Sequence, residues 1–204
     1  MRNRSDIKKQ AKSKFHDLYG INVGAYLLYF LIAAAASGIT LGLGFFFIMP
    51  PITVGYSLFA LRVYKDGQVD IGSMFNRAFD DYWRNVGGIL WMELFTFLWS
   101  LLFIIPGIIK RLAYFMTPYI LADSKNVKPT EAIKLSMRMT KGYKGEIFVM
   151  FLSFIGWIIL SALTFGVLQI LYSGPYMSVS LAGLYHELRQ NAIEKGVVTE
   201  AELA

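Results

Sequence analysis

The sequence has no cysteine. Disulfides, thiol nucleophiles and cysteine-ligated metals are therefore excluded. Histidine is scarce as well: His16 and His186 are the only two. Neither belongs to an H-E-x-x-H run, and there is no Walker loop and no G-x-S-x-G elbow. Asp80 and Asp81 are adjacent, so on a helix they point in different directions and read as a solvated face rather than a shared metal site. No catalytic group, cofactor or metal is expected. Charged residues make up only 17% of the 204 positions, and they cluster in blocks between long runs that carry none.

Apolar residues fill those runs. They account for 55% of the chain, aromatics for 16%, and the mean hydropathy is +0.47. Blocks of charge between apolar runs are expected where lipid is the solvent. The net charge of +6 then marks a cytoplasmic face rather than a nucleic-acid partner. The basic start, the apolar stretch from Ala25 to Ile32 and the small residues from Ala33 to Ser37 imitate a signal peptide. The apolar run continues to Ile48, long enough for a retained spanning helix.

Periodicity gives an all-α polytopic membrane protein with six transmembrane helices. Arg2 to Tyr19 reads as an amphipathic helix with Ile7, Ala11, Phe15 and Leu18 on one face, a lysine-rich opposite face and Ser5 as its cap. Spans follow from Ile21 to Ile48 and from Ile52 to Tyr64, with a turn at Pro50-Pro51. The spacings Gly20-x-x-x-Gly24 and Gly38-x-x-x-Gly42 suit close helix packing. A second amphipathic helix runs from Asp70 to Arg84. The third span, Ile89 to Ile105, turns at Pro106 into a fourth that ends near Ala122 and kinks at Pro118. A third amphipathic segment, Asn126 to Lys144, has Pro129 at its first turn. The fifth span, Ile147 to Tyr172, turns at Ser173-Gly174-Pro175 into a sixth that reaches Arg189. The polar tail, 190–204, is expected to fray. Residues 1–204 thus form one transmembrane domain of three parallel hairpin repeats, roughly 5–64, 70–122 and 129–187, each preceded by an interfacial amphipathic helix. Of the 20 lysines and arginines, all but Lys110 and Arg111 fall on one side, so both termini are placed in the cytoplasm.

Ionisable residues inside apolar runs are functional candidates. Lys110 and Arg111 sit beside a turn with no acid in sight, which suggests a lipid phosphate or another anion as partner. Lys134, Arg138, Lys141 and Lys144 form a basic face suited to anionic headgroups. Glu93 lies roughly 9 Å along its helix from Gly87, and Arg62, at a matching depth, is its expected partner.

The stretch IIPGIIKRLAYFMTPYILAD, then EAIKLSMRMTKGYK and LSFIGWIILSALTFGVLQILYSGPY, resembles the bacterial integral-membrane family catalogued as domain of unknown function 975. The specific blocks are Pro106–Lys110, Tyr119–Asp123, Glu131–Lys134 and Gly142–Lys144; Arg111 is a less typical occupant of its position. The resemblance implies a small multipass protein of the bacterial cytoplasmic membrane and brings no activity. Two functions fit these observations. The first is a non-enzymatic protein that binds anionic membrane lipids and acts as an accessory, stress-response or self-protection factor, with a second membrane protein or another copy of itself as partner. The alternative is a small transporter or exporter of a lipid, peptide or anionic small molecule. Repeats and broken helices favour transport, whereas the scarcity of midplane polar residues favours the first.

Overall fold

The computed structural model describes residues 2–39, 42–65 and 69–203. The ends of the expected domain, Met1 and Ala204, lie outside them. All regular structure among the described residues is helical. Helix α1 (Arg4–Asp17) precedes a hairpin of α2 (Tyr19–Ile39) and α3 (Leu43–Lys65). Helix α4 (Gly72–Asp80) precedes α5 (Tyr82–Leu102), which turns back into α6 (Ile104–Tyr114) and α7 (Thr117–Asp123). Helix α8 (Pro129–Met139) precedes α9 (Lys144–Leu152) and α10 (Ile155–Leu163). A π-helical turn (Gln169–Ser173) and α11 (Gly174–Glu194) complete the third hairpin. Four stretches are long and apolar enough to cross a membrane: Tyr19–Gly38, Leu43–Lys65, Tyr82–Leu102 and Lys144–Leu163.

The turns do not lie at the prolines. The first is closed at Gly42, whose φ of +89° is a conformation that glycine adopts without cost. Its N–H donates to the Ser37 carbonyl at 2.8 Å. Pro50 and Pro51 lie well inside α3, so the expected 13-residue second arm is part of a 23-residue helix. Pro51 leaves the Phe47 carbonyl without its helical donor, and the Tyr82 hydroxyl supplies one at 3.0 Å. The second turn is at Phe103, with Pro106 in the first turn of α6. The third lies at Phe165 and Gly166, while Gly174-Pro175 opens α11 after the π-helical turn. The kink expected from Pro118 is present as a break between α6 and α7. The Ser136 hydroxyl of α8 bridges it, accepting from the Met116 N–H at 3.1 Å and donating to the Ala113 carbonyl at 2.7 Å.

Helix α3 is the centre of the packing. It contacts α2, α4, α5, α7 and α11, and from Met49 onward it is mostly buried. Close approach occurs at Gly55, where a Cβ would overlap the Met74 carbonyl oxygen of α4. The Gly-x-x-x-Gly spacings mark no such contact: Gly20 and Gly38 face open space.

The amphipathic stripes also differ from expectation. Ile7, Ala11 and Phe15 are fully buried, packed where α1 meets α11 and α3. Met74 and Ala78 of α4 are buried likewise, as are Ala132, Leu135 and Met139 of α8. These residues bury against protein, although Phe79 of α4 stays exposed. The cap of α1 is Asn3 rather than Ser5; its side chain accepts from the Ser5 N–H at 3.3 Å.

The expected fraying tail is instead docked. Val198 and Leu203 are buried, and the Ser124 hydroxyl donates to the Leu203 carbonyl. Arg138 holds Glu202 at 2.6 Å and donates to the Val197 carbonyl.

Two guanidiniums close the end of α7. Arg77 of α4, 4% exposed, donates through Nε to the Ala122 carbonyl at 2.9 Å and through Nη2 to the carbonyls of Leu121 and Ser124. Arg84 of α5 donates to the Val127 carbonyl at 2.6 Å and to those of Leu121 and Ser124. Asp81 stands 3.5 Å from Arg77 and 3.6 Å from Arg84. Burial pulls the Arg77 guanidinium below its ordinary pKa, and nearby carboxylates, Asp81 first, push it back.

Replacing Arg77 with leucine should cost about 3 kcal/mol, because several buried carbonyls lose a charged donor at once. Thermal melting in detergent should report it as a fall of roughly 6–12 °C. Arg77→Lys should recover less than half, since an ammonium cannot reach the same set of carbonyls. At the tail, Arg138 and then the Thr199 backbone hold the Glu202 carboxyl down from 4.5 to about 2. A depressed carboxyl stabilises the docked tail fully above pH 4.5 and loses that contribution as pH falls toward 2. The hydrogen-exchange protection factor at Val198, measured against the unstructured amide at each pH, should fall across that window, and Glu202→Gln should abolish the dependence.

Candidate functional site

A groove of about 500 Å³ opens between the second hairpin and α8. Phe95 and Trp99 come from α5, Lys110 and Tyr114 from α6, and Ile133, Lys134 and Met137 from α8. The walls are mainly apolar and aromatic where the C-terminal half of α5 packs beside α6. Lys110 stands over that surface, and Lys134 lines the same groove. Lys110 Nζ is 4.6 Å from the centre of the Trp99 ring and 5.9 Å from that of Tyr114. A cation over an aromatic face is held there with about 0.5–1 kcal/mol at an exposed site. No carboxylate lines the groove. Its charged lining is thus cationic, over walls that are apolar and aromatic.

Of the six cations proposed from sequence for anion binding, the structure brings Lys110 and Lys134 together. Arg111, next to Lys110, points elsewhere. Its Nη1 lies 3.9 Å from Glu93 Oε2, with the two side chains 73% and 52% exposed. An acid is thus available beside Arg111 after all, and Glu93 pairs with Arg111 instead of Arg62. The reason is the turn: with α5 ending at Leu102 and α6 starting at Ile104, positions 93 and 111 fall at one level of the hairpin. Arg138 is committed to Glu202. Lys141 and Lys144, at the end of α8 and the start of α9, do not line the groove.

Arg62 lines a separate polar cavity of about 410 Å³ with Lys65, Arg77, Asp80, Asp123 and Lys125. Asp123 is its hub. It lies 3.6 Å from Lys65 and 3.2 Å from Arg189, and accepts from the Tyr185 hydroxyl at 3.1 Å. The ends of α3 and α7 and the middle of α11 meet at this one carboxylate. Sequence reasoning did not single out Asp123. The available signal was that the specific block Tyr119–Asp123 ends on it.

A family model described as "Protein of unknown function (DUF975)" matches residues 101–192. The matched segment holds Lys110, Lys134, Asp123 and Arg189. No curated protein and no solved structure matches the chain.

The Glu93–Arg111 assignment has a direct check. A double-mutant cycle on Glu93→Gln and Arg111→Gln, read by melting in detergent, should show a coupling of about 0.2–1 kcal/mol, as for half-exposed pairs. The same cycle on Glu93 and Arg62 should show none.

Proposed function

We propose, proceeding from a chain that belongs to the DUF975 family over residues 101–192 and from a family description that assigns no activity, that this is a non-enzymatic membrane protein that binds an anionic lipid headgroup. The observation that carries the reading is that Lys110, held over the Trp99 ring, and Lys134 line one groove with aromatic walls. Two ammoniums match a phosphodiester or a carboxylate, and the walls of Phe95, Trp99 and Ile133 match the first methylenes of an acyl chain. The hairpins enter the bilayer from the side that holds the cation blocks, which is the cytoplasmic side under the positive-inside rule. In the same reading the chain is built of three units, 5–64, 70–122 and 129–187. The support is that a short amphipathic helix packs on one arm of each hairpin: α1 on α11, α4 on α3, α8 on α6 and α7. An accessory or self-protection role follows from a bound lipid that is held rather than moved. The rival, a transporter, calls for a polar path along the axis. The packing around α3 is instead filled by Phe59, Leu61, Tyr64, Ile120, Leu121 and Tyr185, all within 1% of full burial.

The test is native mass spectrometry of the protein extracted with phosphatidylglycerol. Each lysine near the headgroups is worth about 1 kcal/mol. Lys110→Ala with Lys134→Ala should therefore weaken retention about thirtyfold, and Lys141→Ala should leave it unchanged. Equal retention in the double variant would overturn the reading.

A further inference from the structure

We infer that the three hairpins penetrate a single leaflet, with their turns near the middle of the bilayer instead of at its far surface. The inference rests on the membrane reading above and concerns depth. Each amphipathic helix meets its hairpin at a similar distance from the turn. Helix α4 crosses α3 at Gly55, thirteen residues beyond Gly42, or ~20 Å at the helical rise. Ser136 of α8 joins α6 at Ala113, ten residues beyond Phe103, or ~15 Å. From α1, Lys8 donates to the Ser153 hydroxyl at 3.1 Å, twelve residues before Phe165, or ~18 Å. Exposed charges stand at these levels: Lys9 and Lys12 on α1, Asp80 and Asp81 at the end of α4, and the Glu93–Arg111 pair across the second hairpin. A hydrocarbon core is about 30 Å thick, so a hairpin that starts at the headgroups and extends 15–20 Å ends near the midplane.

Beyond those levels the exposed surface is mainly apolar, with Lys110, seven residues from Phe103, the charged residue nearest a turn. Leu43 is 70% exposed, Phe103 72%, Ile104 77% and Phe165 99%. No charged residue occurs between Asp17 and Arg62, between Glu93 and Lys110, or between Glu146 and Glu187. Turns that emerged into water would need polar residues, and these have almost none. One backbone N–H at each turn is instead satisfied internally, as lipid demands. The Gly42 N–H donates to Ser37, Phe103 to Trp99, and Gly166 to Ser161. Hydroxyls near the turns turn inward too: Ser100 donates to the Thr96 carbonyl at 2.8 Å, Ser161 to Trp157 at 2.7 Å, and Thr164 to Leu160 at 3.1 Å. At the other ends, α3 from Met49, α7 and most of α11 are buried in protein.

The absence of native cysteine makes the test direct. Leu43→Cys, Phe103→Cys and Phe165→Cys alter exposed side chains only, so the fold is retained. Each variant, labelled with a bimane fluorophore, is reconstituted into vesicles of phosphatidylcholine and phosphatidylglycerol. Quenching is compared between nitroxide lipids labelled at the headgroup and lipids labelled near the end of the acyl chain. Chain-end nitroxides should quench all three positions several-fold more strongly than headgroup nitroxides. Stronger quenching by headgroup nitroxides would place the turns at the far surface and overturn the single-leaflet depth while keeping the membrane reading. No quenching by either lipid would overturn both.

Discussion

A helix that ends inside a protein leaves its last carbonyls without donors, and water cannot reach them. That constraint governs the centre of this molecule. Helix α7 stops at Asp123 among buried neighbours, and Leu121, Ala122 and Ser124 present their carbonyls to the interior. Arg77 and Arg84, brought by the helices on either side of a sharp corner, supply the donors. The cations also oppose the negative end of the α7 dipole. Asp81 balances part of their charge, and Asn85 ties the corner together by donating to the carbonyls of Arg77 and Ala78, each at 3.0 Å. The position of α4 against α3, and with it the start of the second hairpin, follows from this one arrangement.

An all-helical chain with long apolar helices was legible from periodicity, because burial and lipid both select the same spacing of apolar residues. The turns were misplaced because proline was read as punctuation. In water a proline inside a helix leaves a carbonyl exposed and weakens the helix. Here Tyr82 repairs the defect left by Pro51, and Ser136 bridges the break ahead of Pro118. Both repairs come from residues distant in sequence, so no local pattern reports them. The turns that formed instead depend on Gly42 and Gly166, whose positive φ angles had no visible counterpart in composition.

The groove was legible in part. Lys110 and Lys134 stood out because a cation near an apolar run has few neutral explanations. Their convergence is a tertiary fact, set by the seating of α8 on the break between α6 and α7. The pairing of Glu93 with Arg62 failed because depth along a helix does not say which neighbour a side chain faces; the turn at Phe103 brings Arg111 to Glu93 instead. Asp123 escaped notice because an acid at the end of an apolar run looks like an ordinary boundary residue until three partners are seen around it.

The packing of α1 on α11 has a consequence for biosynthesis. The first helix made buries Ile7, Ala11 and Phe15 against the last one, and Arg2 lies 3.5 Å from Glu187. At roughly 5–20 residues per second, α1 waits about ten to thirty seconds for that partner to be synthesised. During that interval its apolar stripe lacks its partner, so the contact that joins the two ends of the fold can form only after all three hairpins have been synthesised.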